Sequence, residues 1–115
     1  MTIKELIKLK SEECFNEVVK LRRHLHMHPE LSFHENETAA FVANHLKSLG
    51  IPFKDKVADT GLVAIIEGKN PDKAVVALRA DMDALPIQEQ NDVPYKSKNA
   101  GLMHACGHDV HTSSL

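Results

Sequence analysis

The sequence predicts an α/β or α+β layer, with two helices, then sheet strands, then the opening of another helix. Three observations predict it. Apolar residues recur at helical spacing up to Gly50, gather beyond it into short β-branched runs, and are parted there by turn residues.

From Glu12 to Leu25 the residues Cys14, Val18, Leu21 and Leu25 fall at i, i+4, i+7 and i+11, one face of an amphipathic helix. Cys14 on that face reads as core. Pro29 disfavours helical geometry at His28, so the helix should stop near Met27. Arg22, Arg23, His24, His26 and His28 crowd its last turns, where positive charge suits the negative end of the dipole. Ser32-Phe33-His34-Glu35 fits a capping box and announces a second helix. Its body carries Ala39, Val42, Leu46 and Leu49 on one face, and Gly50 followed by Pro52 closes it.

Leu62–Ile66 and Ala74–Leu78 are apolar runs without alternation, as strands buried on both faces require. Gly68-Lys69-Asn70-Pro71-Asp72 is the turn between them, and Pro52–Lys56 carries a weaker strand signal. Asn91–Gly101 is polar and reads as loop. His108–Leu115 reads as a helix opening without a closing signal, too short to be stable alone. More chain is expected to follow it.

Composition narrows the function classes. In 115 residues, 43% are hydrophobic and 26% charged, with a formal charge of −2, which is globular composition rather than disorder. Neither half of the chain is basic, which argues against nucleic-acid binding. No apolar run approaches the length of a membrane span, and the N-terminus lacks a signal-peptide core. Two cysteines make no disulfide framework, so a cytoplasmic chain is expected. The sequon Asn36-Glu37-Thr38 then carries no meaning for glycosylation.

Two stretches carry unusual polar residues. In Leu78-Arg79-Ala80-Asp81-Met82-Asp83-Ala84-Leu85-Pro86 the two aspartates alternate, so in extended backbone they face the same way. Burying both requires a metal, a cation or a shared proton; otherwise they form a solvated rim or a pair held by Arg79. In Gly101-Leu102-Met103-His104-Ala105-Cys106-Gly107-His108-Asp109-Val110-His111, four potential metal ligands fall between Cys106 and His111. Cys106 and His108 at i, i+2 offer thiolate and imidazole, a donor set suited to zinc and other first-row cations, and Gly107 removes a crowding side chain. Asp109 is placed to orient a histidine, to bind directly or to cap a helix. A buried cysteine beside unrelated histidines is the plainer alternative, and a metal site is favoured over it. His34 and His45 read as surface or satisfied helical histidines, and Met103 as packing.

These segments resemble the M20 family of metallopeptidases and amidohydrolases, in the branch of N-acyl-amino-acid amidohydrolases, hippurate hydrolases and plant auxin-conjugate hydrolases. The resemblance rests on Leu21-Arg22-Arg23-His24-Leu25-His26-Met27-His28-Pro29-Glu30-Leu31-Ser32-Phe33, on Glu37-Thr38-Ala39, on Leu78–Pro86 and on Met103–Thr112, in the family's order. It implies an α/β, zinc-exopeptidase-like catalytic domain of which residues 1–115 are the N-terminal portion. The inserted dimerisation domain and the rest of the catalytic domain are expected outside this stretch, in a homodimeric whole enzyme.

The resemblance further implies two divalent metals per site, zinc or manganese first and cobalt or nickel next, with Cys106 and His108 as metal ligands. Asp83 matches the family's supporting active-site aspartate. Asp81 stands where other branches place a ligand histidine and is not expected to bind. His26 and Pro29-Glu30 match scaffold positions. The implied reaction is hydrolysis of the amide bond of an N-acyl amino acid or amino-acid conjugate by metal-activated water. The family's general-base glutamate and further ligands lie later than Leu115, so residues 1–115 alone are expected to be inactive. An N-acetyl-diaminopimelate deacetylase, a dipeptidase and a non-catalytic metal-binding remnant are the alternatives.

Overall fold

A computed structural model describes residues 1–115. Helix α1 (Ile3–Met27) comes first, then α2 (Asn36–Ser48), strands β1 (Phe53–Val57) and β2 (Gly61–Ala64), and a short α3 (His108–Ser114). Helix α1 ends at Met27 as predicted but begins far earlier than Glu12. Thr2 and Glu5 form a capping box, with the Thr2 side chain accepting from the Glu5 N–H and the Glu5 carboxylate from the Thr2 N–H. Only the C-terminal part of α1 is packed. Leu25 is buried and Val18 and Leu21 are half-buried, whereas Cys14, predicted as core, is exposed. The apolar stripe is real, but nothing in these residues lies against its first half.

Helix α2 starts later than its predicted signal. Ser32 makes no cap; Glu30 does the work from outside the helix, accepting from the Glu37 N–H at 3.2 Å and the Thr38 N–H at 2.6 Å. A carboxylate at this end satisfies orphan donors and opposes the helix dipole. His34 therefore sits before α2, not within it. At the other end Gly50 takes φ +69°, and the Ile51 N–H reaches Leu46 O while the Gly50 N–H reaches Lys47 O, a Schellman closure.

The strand prediction needs correction. The antiparallel pair is β1–β2, with Phe53 opposite Ala64 and Lys54 opposite Val63. Its register breaks between Lys54 and Val57, around a turn holding Lys56, Ala58 and Asp59 at positive φ. Gly61 is required there, because a Cβ would stand 2.5 Å from Val57 O. Ala74–Leu78 forms no ladder, and Val75, Val76 and Leu78 are 93%, 82% and 76% exposed. Its composition suits a buried strand, but no neighbouring strand covers it.

Short backbone links gather the remaining chain around the end of α1. Leu31 pairs parallel with Ala84, and Leu85 pairs antiparallel with Met103. The Lys98 N–H donates to Met27 O, and the Asn99 amide to Pro29 O. Of nine buried residues only Leu25, Ala84 and Pro29 are apolar; His26, Glu35, Thr38, Glu89, His104 and Asp109 are polar or charged. The interior at this end of α1 is thus a polar network, and it adjoins the Cys106–His111 stretch.

Candidate metal centre

Gly107 takes φ +81° immediately before α3, a left-handed turn that a side chain would strain. A Cβ there would meet nothing within 4 Å, so among the groups present the backbone conformation, not crowding, calls for glycine. Through this turn the exposed Cys106 is followed by the half-buried His108.

His108 is oriented by Asp83. Its Nδ1 lies 2.8 Å from Asp83 Oδ1 and 2.9 Å from Asp83 O. Both oxygens only accept, so Nδ1 carries the hydrogen, and in the neutral ring the lone pair belongs to Nε2. A carboxylate behind a histidine in this way is the usual support for a metal-ligating imidazole. Thr112 Oγ1 donates to Asp81 O at 2.8 Å, a second tie between α3 and the same stretch.

Asp81 and Asp83 do not act together. Arg79 pairs with Asp81 alone, at 2.8 Å, and holds that carboxyl below its usual range through the guanidinium hydrogen bond. The pair is exposed and contributes little to stability.

Asp109 serves neither Cys106 nor His108. Its buried Oδ2 lies 2.7 Å from His26 Nδ1 and accepts from Arg22 Nε at 2.9 Å. The other ring nitrogen of His26 lies 3.0 Å from Glu89 Oε2. Glu89 also accepts from the Ser97 N–H at 2.7 Å and the Asn91 amide at 3.1 Å. Burial raises the Glu89 pKa, but the hydrogen bonds from His26, Ser97 and Asn91 outweigh it and pull the group down to about 2. Two buried carboxylates thus face an imidazole and a guanidinium.

Two residues of this region, Glu89 and His104, escaped the sequence reading, and a third, Asp109, was singled out but with other partners. Glu89 stands in no motif. Asp109 finds its partners 83 and 87 positions away. His104 is buried with neither ring nitrogen hydrogen-bonded, and burial pushes its pKa down. The one available signal was its place between Met103 and Cys106 in a histidine-dense stretch.

The donor chemistry fits a first-row cation in part. Cys106 offers an open thiol and His108 an imidazole whose tautomer is set by Asp83. His111 lies nearby, its ring centroid 5.9 Å from that of His108. No three of the His, Cys, Asp and Glu side chains converge on one point. No helix is long and apolar enough to cross a membrane.

Comparison with known proteins gives the region a context. Residues 77–115 match peptidase family M20/M25/M40. The chain is 54% identical over 114 residues to YhaA of Bacillus subtilis (strain 168), named an amidohydrolase, covering 99% of this chain and 28% of that protein. It is 52% identical over 112 residues to an N-acyl-L-amino acid amidohydrolase of Geobacillus stearothermophilus, covering 97% and 30%. Among solved structures it is similar to the Bacillus subtilis YXEP protein, described as a dinuclear metal-binding peptidase from the M20 family. That likeness has a TM-score of 0.83 at 47% identity and covers 90% of this chain and 29% of the other. The chain therefore spans under a third of the length of these relatives.

Proposed function

We propose that the chain, whose residues 77–115 match peptidase family M20/M25/M40 and which is similar over nearly its whole length to amidohydrolases, belongs to that family, and that the protein carrying it is a metal-dependent amidohydrolase. Its substrate is a small N-acyl amino acid or amino-acid conjugate, and its products are a carboxylic acid and the freed amino acid. The observation that carries this reading is the Asp83–His108 contact beside the exposed Cys106. The similar N-acyl-L-amino acid amidohydrolase supports the substrate class. Residues 1–115 then belong to the catalytic domain, and two exposed free cysteines accord with a cytoplasmic enzyme.

Cys106, as thiolate, and His108, through Nε2, would hold a divalent cation, one of two by analogy with the dinuclear relative. When bound, such cations polarise the scissile carbonyl and make water a stronger nucleophile. Asp83 is a positioning residue: it accepts the Nδ1 hydrogen and keeps the opposite nitrogen free. In the reaction, water oxygen adds to the acyl carbon, the C–N bond breaks, and the water's proton reaches the leaving amine. The carboxylate that relays this proton is expected from outside residues 1–115. With two donors and no such base beside them, residues 1–115 alone turn nothing over.

The test is hydrolysis of a panel of N-acetyl and N-benzoyl amino acids by the whole protein. Turnover that a chelator abolishes and zinc or manganese restores is expected. Chelator-insensitive turnover, or no cleavage of any N-acyl amino acid, overturns the proposal.

A further inference from the structure

Helix α3 has only seven residues and cannot hold itself in place. Its setting depends on what its side chains grip. Thr112 and His108 grip the Asp81–Asp83 stretch, whose own side chains are partly exposed. Asp109 instead reaches α1, where its buried carboxylate meets His26 and Arg22. Asp109 is the residue after His108, so whatever fixes its side chain fixes the turn that carries Cys106, Gly107 and His108.

His26 is itself fixed from both sides. One ring nitrogen faces Asp109 and the other faces both oxygens of Glu89, at 3.0 and 3.1 Å. The Ser97 N–H and the Asn91 amide hold Glu89 in turn, and Tyr95 stands edge-on to the imidazole at 5.9 Å. Carboxylates only accept, so each contact depends on the ring nitrogen that faces it, and the two nitrogens stand on opposite sides of the ring. A glutamine amide in its place presents its N–H groups on one side only, so it serves one carboxylate and leaves the other buried without this partner.

We propose that His26, clamped between Glu89 and Asp109, is a positioning residue for the metal centre, setting the Cys106–His108 turn from the far side of α3. The inference rests on the metal-dependent reading above and concerns side chains that do not themselves bind the cation.

The test is a cobalt(II) titration of the whole protein, followed by the thiolate-to-cobalt absorption that Cys106 would supply. The unaltered protein is expected to show this band. His26→Gln is expected to weaken cobalt binding at least tenfold and to alter the band, with circular dichroism unchanged. Glu89→Gln, which keeps shape and removes one charge, is expected to do the same to a smaller extent. A folded His26→Gln with the original affinity and spectrum overturns the inference while leaving the metal reading intact. Where His26→Gln does not fold, Glu89→Gln decides, and an unchanged spectrum there overturns the inference. Absence of the band in the unaltered protein overturns the metal reading and this inference together.

Discussion

His26 Nδ1 lies 2.7 Å from Asp109 Oδ2 although 83 positions separate the two residues. The contact joins the last turn of α1 to the first turn of α3, and both side chains are almost wholly buried. Removing one partner of a buried pair strands the other. Asp109→Ala should therefore cost the whole protein about 3–5 kcal/mol in a denaturant titration. A loss under about 1 kcal/mol would show that the pair is not held as described.

Glu89 gives the fold an acid limit. Its carboxyl drops from an ordinary 4.5 to about 2 in the fold, so the native state binds fewer protons than the unfolded chain between those values. The stabilisation is complete above about pH 4.5 and is lost as pH falls towards 2, an effect on the order of 3 kcal/mol. Glu89→Gln should flatten that part of the stability–pH profile, measured by chemical denaturation across pH 2–5.

Glu30 caps α2 from six residues before its first helical position. Glu30→Ala should cost about 1 kcal/mol, the usual worth of an N-terminal cap. Ser32→Ala should cost nearly nothing, since Ser32 makes no cap. Thermal melts of the two variants separate the assignments.

Residues 1–115 as a separate polypeptide bury two hydrophobic core residues and expose Val75, Val76 and Leu78 in an unpaired run. They should show no cooperative melt and should self-associate. Val76→Lys should reduce that association, measured by light scattering.

Much of the frame was legible because it is written locally. Pro29 marks the end of α1, Gly50 that of α2, and Cys106-Gly107-His108 lies where α3 opens. What could not be read is written between distant residues. Asp109 looked like a cap or an orienter of its neighbours, and its partners proved to be His26 and Arg22. Glu30 replaced Ser32 as a cap because a longer side chain outside the helix reaches the same N–H groups. The run Ala74–Leu78 has strand composition, but composition supplies no partner ladder, and none of these residues provides one. Cys14 was misplaced in the same way, on an apolar stripe of α1 that these residues leave open.

Cys106 and His108 are the proposed holders of the cation. X-ray absorption of the zinc-loaded whole protein tests that assignment directly. A sulfur neighbour at about 2.3 Å together with imidazole nitrogen at about 2.0 Å is expected, the sulfur signal disappearing in Cys106→Ala. A zinc environment of oxygen and nitrogen alone in the unaltered protein would contradict it.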